Sequence, residues 1–181
     1  MRSPIRILAL QLVLMLVGGP GTLVAQEANA RQATPSLPVD PLIGTWSLNV
    51  AKSQYPGTPP KAITRTFDYT LDGMILCAYE TTDAQGKKSF THWFMGLDGK
   101  EHPEFGRATG ATPIWFLSTK IIDTHTKEIT DRRVVAPGEP QRIINYTFVV
   151  SPDGKTLTTT ARSTNTQGQP TVTVAVWDRV F

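Results

Sequence analysis

The sequence predicts an all-β chain folded as a single antiparallel up-and-down β-barrel of about eight to ten strands. Three observations carry this expectation. Runs of alternating apolar and polar residues follow one another at regular spacing, tight-turn signatures separate them, and no stretch repeats convincingly at a helical period.

The runs read as strands over 45–50, 62–71, 74–82, 88–95, 114–123, 128–136, 141–150, 156–163 and 171–180. They are rich in Thr, Val, Ile and aromatic residues, which suit a pleated, half-buried surface. Asp72 and Gly73, Asp98 and Gly99, and Asp153 and Gly154 each lie between consecutive runs, and an Asp-Gly pair supplies the positive φ of a tight hairpin. Three hairpins are therefore expected. A two-residue turn at Asp98 and Gly99 would set Met95 opposite His102 and Trp93 opposite Glu104. Longer turns end at Gly86 and Gly168, and Pro137 to Pro140 forms another. Such short links make sequence neighbours pair, and a meander hides its edges most completely by closing on itself; an open sandwich is the alternative. The stretch 100–113, with Pro103, Gly106, Gly110 and Pro113, reads as a long loop or a short extra strand.

The first thirty residues have the order of a secretory leader. Arg2 and Arg6 precede an apolar run from Ile7 to Val17, interrupted only by Gln11, and small residues follow at Ala25, Ala28 and Ala30. That order marks a cleaved signal peptide over 1–30, and the run is shorter than the ~20 residues of a spanning helix. No cysteine lies near the cleavage zone, so the mature chain is expected to be secreted or periplasmic, without a lipid anchor or membrane span. Residues 31–41, with Pro35, Pro38 and Pro41, form a flexible lead-in, and 42–181 form the barrel domain. Arg2, Arg6 and Glu27 leave with the leader, taking the net charge from +3 to +2. The remaining Lys and Arg are scattered, which argues against a nucleic-acid interface. Cys77 is the only cysteine; no intrachain disulfide can form, and its apolar surroundings suggest a buried, inert thiol.

Alternation assigns the inward faces. Ile63, Arg65, Phe67, Tyr69 and Leu71 share one; Trp46, Leu48 and Val50 another; then Trp115, Leu117, Thr119 and Ile121; Tyr146, Phe148 and Val150; and Val172, Val174 and Val176. This is enough apolar bulk for either a filled core or a small lined cavity. Arg65 is the one cation in phase with such a face. It would hold a fatty-acid-like carboxylate by two parallel hydrogen bonds, or reach solvent at a barrel mouth, or pair with a carboxylate such as Glu80. With Arg65, the expected cavity lining is Phe67, Tyr69, Tyr79, Trp93, Trp115, Tyr146 and Phe148.

Candidate chemistry is sparse. His92, His102, His125, Glu101 and Glu104 are the only metal-type set, and their spacing is not that of a zinc site. Neither a nucleophile elbow nor a glycine-rich phosphate loop occurs. No catalytic residue, metal or cofactor is nominated.

Gly44, Thr45 and Trp46 at the start of the first strand, with Arg179 at the end of the last, resemble the lipocalin arrangement in which a tryptophan packs beneath an arginine at the closed end of the barrel. With the valines of the last strand inward, Arg179 shares the opposite face with Trp177, so this stack would need a twist or bulge near the strand end. The stretch 44–53, Tyr55 to Gly57, Asp98 to Lys100, Arg132 to Val135, Ser151 to Thr156 and Thr166 to Pro170 are similar to a group of bacterial secreted lipocalin-like (calycin-type) proteins of unassigned function. The resemblance spans nearly the whole mature domain, and its motifs concern turns and end packing. It implies the fold and leaves the chemistry open. Three functions follow as expectations: a module binding a small hydrophobic or amphipathic ligand, or a lipid, non-covalently; an envelope protein with a filled barrel acting through its surface loops; and an isomerase or cyclase on a barrel scaffold. A cavity above roughly 300 Å³ would favour the first. The sequence carries no signal for oligomeric state.

Overall fold

The computed structural model describes residues 39–104, 115–133 and 141–181. Ten strands occur: β1 (Gly44–Gln54), β2 (Ala62–Tyr69), β3 (Ile75–Thr82), β4 (Lys88–Met95), β5 (His102–Glu104), β6 (Trp115–Ile121), β7 (Thr126–Arg133), β8 (Arg142–Val150), β9 (Thr156–Thr164) and β10 (Pro170–Val180). They form one antiparallel sheet in the order β4-β3-β2-β1-β10-β9-β8-β7-β6-β5. First and last strands pair, so the sheet curls into a nearly closed barrel whose two edge strands, β4 and β5, come together without a ladder. Among the described residues there is no helix long and apolar enough to cross a membrane. The leader, its cleavage zone, the lead-in as far as 38, the loop 105–113 and the turn at 137–140 lie outside the described residues.

Nine strands match the expected runs in place and order. The tenth, β5, is three residues long and falls in the stretch read as loop or extra strand; Pro103 at its centre lacks the N–H that a longer ladder would use. The hairpin expected at Asp98 and Gly99 does not form. The Asp98 carboxylate instead accepts the Lys100 N–H at 3.1 Å and bonds His102 at 2.7 Å, folding the connection on itself while β5 pairs forward with β6. The pairings of Met95 with His102 and Trp93 with Glu104 are therefore absent. The other Asp-Gly sites do turn hairpins, through wider loops than a two-residue link. At the first, the Thr70 N–H reaches Met74 O at 2.9 Å and the Gly73 N–H reaches Thr70 O at 3.1 Å.

The face assigned to β10 is also reversed. Ala175 and Trp177 are 5% and 1% exposed, whereas Val172 is 51% exposed. The valines cover the outside of the sheet, and Thr173, Ala175, Trp177 and Arg179 point inward. Arg179 thus sits directly opposite Trp46 in the β1–β10 register without any bulge at that end. The one irregularity between these strands lies further along, between Asn49 and Gln54, where the Ser53 hydroxyl accepts the Val176 N–H at 2.9 Å.

One end of the barrel is plugged. Trp46 is fully buried, and its indole N–H donates to Leu42 O at 2.9 Å. The Arg179 guanidinium lies 4.1 Å from the Trp46 ring centre and donates to the carbonyls of Pro41, Ile43 and Gly154. A cation over an indole contributes on the order of 1 kcal/mol beyond the buried area. Beside it, Lys127 reaches inward from β7 to the Asp40 carboxylate at 2.6 Å; the lysine side chain is 3% exposed. The same carboxylate accepts the Leu42 N–H at 2.9 Å. Removing one partner of such a pair costs about 3–5 kcal/mol, because a charge is left buried alone. The segment 40–43 is therefore held by an ion pair, an indole and a guanidinium. Leu42, Ile75, Met95, Ile129, Val150, Leu157 and Trp177 pack in the core.

Gly44 is where this plug depends on a missing side chain. Its φ is +130°, and a Cβ there would lie 2.5 Å from Arg179 Nη1. Gly44→Ala is expected to lower the unfolding free energy by about 2–3 kcal/mol through backbone strain and displacement of Arg179. Urea denaturation followed by tryptophan fluorescence measures it; an unchanged midpoint would show that the guanidinium is not held there.

Candidate functional site

Next to the plug and toward the connections 55–61, 83–87 and 165–169, the interior becomes polar. A cavity of about 50 Å³ lies there, bounded by Arg65 from β2, Tyr79 from β3, Trp93 from β4, Glu104 from β5, Leu117 from β6, Asp131 from β7, and Tyr146 and Phe148 from β8. That volume holds a few water molecules and is well short of the roughly 300 Å³ of a drug-sized pocket.

Arg65 is the unusual member. Its Cζ stands 4.3 Å from the Trp177 ring centre, 5.3 Å from Tyr79, 5.8 Å from Phe148 and 5.9 Å from Phe67. Four aromatic rings therefore surround it. No hydrogen bond or ion pair joins its guanidinium to any described residue, and its Nε is buried. Glu80, the carboxylate considered as its partner, points outward and binds Lys88 at 2.7 Å. The charges at the cavity act on their neighbours. Burial pushes the Cys77 thiol up to about 12, with Arg65 opposing the rise and Glu104 adding to it. Burial also raises Tyr55, again against the pull of Arg65.

Of the residues expected to line a cavity, Arg65, Tyr79, Trp93, Tyr146 and Phe148 are brought together at its wall. Phe67 lies within the core, fully buried and packed edge-on to Trp93 at 6.4 Å and to Phe148 at 6.1 Å. Tyr69 is 42% exposed at the plugged end, where its hydroxyl accepts the Asp40 N–H at 3.2 Å. Leu71 is fully exposed. Alternation along β2 continues correctly, but Tyr69 is the last residue of the strand and Leu71 lies beyond it. Trp115 is buried with Arg133 Cζ 5.9 Å from its ring centre and stands outside the cavity wall.

Glu104, Leu117 and Asp131 enter the wall without having been nominated. The signal for Asp131 was available: it is two residues from Ile129, the only large apolar residue of β7, and Lys127 is in the same phase. Those positions are buried despite their charge. The metal-type residues are dispersed. His92 lies between Phe90 and Phe94 on the outer face, Glu101 binds Arg132, and His102 binds Asp98. Among the described residues no group of three His, Cys, Asp or Glu could hold a metal ion.

No family model matches the sequence, and no curated protein matches it. Solved structures do resemble it. The M. tuberculosis protein Rv2717c superposes with a TM-score of 0.50, at 17% identity, over 78% of this chain and 94% of its own. As-p18, described as an extracellular fatty acid binding protein, gives 0.47 at 14% identity, over 78% of this chain and 97% of its own. The fold is lipocalin-like. At these identities the likeness speaks for the barrel alone, and the interior of this barrel holds its charges in two ways: Lys127 is paired with Asp40, whereas Arg65 meets no acceptor among the described residues.

An arginine that braces a fold leaves buried acceptors behind when removed; Arg65 would leave none among the described residues. Arg65→Met, which keeps the length and apolar contact of the side chain, is expected to change stability by less than about 1 kcal/mol. A loss of 3 kcal/mol or more in urea denaturation would make Arg65 a structural brace.

Proposed function

We propose that this protein is a secreted or periplasmic binding module that takes the polar head of a small amphipathic molecule into the barrel mouth, non-covalently and with no chemical step. The reading rests on Arg65: a guanidinium ringed by Phe67, Tyr79, Phe148 and Trp177, at the wall of an internal cavity, with its donors unmatched by any described residue. Unmatched buried donors are costly, and a ligand acceptor or ordered water satisfies them. The cavity size limits the ligand. About 50 Å³ admits a head group and excludes a long acyl chain, so the apolar body rests in the mouth against Tyr79 and Tyr146. Glu104 and Asp131 on the same wall make a fully ionised head less welcome than a carbonyl or a protonated acid. Secretion is supported by the charged, apolar and small-residue order of the leader.

The small cavity also favours a second reading, an envelope protein with a filled barrel that acts through its surface. Calorimetric titration with benzamide, benzoate and octanoate separates the two. Binding of at least one, weakened about tenfold or more by Arg65→Met, is expected, since a hydrogen bond to a charged donor contributes about 1.5–3 kcal/mol. No heat with any of the three, and no small molecule retained by protein purified from its own envelope in native mass spectrometry, would favour the filled barrel.

A further inference from the structure

Successive connections of an antiparallel meander alternate between the two ends of the barrel, so the topology sorts into two groups the charges that look scattered in the sequence. At the plugged end lie the entering segment and the connections 70–74, 96–101, 122–125 and 151–155. With the ion pairs Lys127–Asp40, Arg132–Glu101 and Lys88–Glu80 set aside, these carry Asp72, Asp98, Asp123 and Asp153 against Lys100 and Lys155. The opposite end reverses the balance. There Lys61, Lys87, Arg142 and Arg162 are exposed, in the connections or near the strand ends that meet them. Against them stands Asp83, whose carboxylate accepts the N–H groups of Gln85 and Lys87. The two undescribed connections of this end add Arg107 and Glu139 to the sequence, which cancel in charge. Exposed apolar side chains stand between the cations. Val172, 51% exposed, is the register partner of Arg162; Ile143 follows Arg142; Phe90, 69% exposed, stands two residues beyond Lys88; and Pro59 and Pro60 precede Lys61. The Lys61 N–H reaches Thr82 O at 2.9 Å, which sets the 55–61 connection beside β3 and its turn.

We propose that the end bearing Lys61, Lys87, Arg142 and Arg162 docks on an anionic phospholipid bilayer, with the acidic plugged end turned away from it. Each cation close to such a surface strengthens binding about fivefold, and apolar side chains between the cations enter the headgroup zone. The aspartates at the far end are repelled, which fixes the orientation. Single cations spaced around a rim match a continuous charged plane; an acidic protein partner would meet them better as one cluster. The bilayer would supply the amphipathic ligand proposed above, but docking is measured on vesicles without it, so the two ideas stand or fall separately.

Co-sedimentation with vesicles of phosphatidylcholine alone, or of equal parts phosphatidylcholine and phosphatidylglycerol, tests the docking. The protein is expected to bind the mixed vesicles at about 0.01 M salt and to leave them at about 1 M, as the screening length falls from ~30 Å to ~3 Å. On phosphatidylcholine alone, binding should be at least about tenfold weaker. Two double variants with the same net charge separate the rim from the molecule as a whole. Lys61→Glu with Lys87→Glu is expected to weaken binding about tenfold or more. Lys100→Glu with Lys155→Glu, at the plugged end, should change it less than about twofold. All four lysines are exposed, and unchanged urea midpoints confirm that both variants fold. The proposal is overturned if the protein ignores the mixed vesicles, if it binds both compositions alike, or if the two double variants lose binding equally.

Discussion

Arg179 over Trp46 is the contact on which the rest of the molecule depends, because it locks together the two strands that make a sheet into a barrel. β1 and β10 are the first and last elements of the described domain, and their ladder ties its two ends. A guanidinium has five N–H donors in a flat fork, and this one spends them on carbonyls of the entering segment, Pro41 and Ile43, and of the β8–β9 turn, Gly154. Those carbonyls belong to backbone that leaves the sheet and has no strand to pair with. One side chain thus seals the end, satisfies irregular backbone and fixes the register of closure. Because the ring is joined at the chain ends, the place where it fails to join must fall mid-chain, between β4 and β5.

The interior is divided by how its charges are met. At the plugged end Lys127 has a carboxylate within 2.6 Å, and the desolvation of both is offset by close pairing and by the Leu42 N–H. In the cavity, Arg65 has four ring faces around it and shares the wall with Glu104 and Asp131. Cation–π contacts repay part of the lost hydration, but they leave the buried Nε without an acceptor among the described residues. A guanidinium so placed differs from Lys127 in geometry: the lysine is taken up by a carboxylate, and Arg65 meets no acceptor among the described residues.

Strand positions and order were legible because period-two alternation and turn glycines are local signals. Facing and partnership are less so. On β10 the valines at 172, 174 and 176 announce a strand, but Trp177 and Ala175 are the ones packed inside; β-propensity says that a strand forms, not which side is covered. The large indole and the in-phase Arg179 carried the better information. On β7 two charged residues flank Ile129 on the buried face, and hydrophobic patterning discards them. Asp98 and Gly99 specify a reversal of the chain and nothing about whether the strands on either side then bond. The cavity wall was legible where aromatic residues alternate, as with Tyr79, Trp93, Tyr146 and Phe148. It was illegible where it consists of Glu104 in a three-residue strand beside a proline.

Two departures from local consistency coincide in space. A barrel built only for stability would run its tenth ladder between β4 and β5 and fill the space behind it with apolar side chains; among the described residues that ladder is absent, and a guanidinium and two carboxylates stand among the rings at that spot. Each omission alone has a structural cost, an unpaired strand edge or buried charge. Sequences that otherwise agree with their fold at every level tend to break the rules where they function. The unladdered edge of β4 and the arginine on β2, which meets no acceptor among the described residues, border the same small cavity, and that shared location is why the cavity is read as the site.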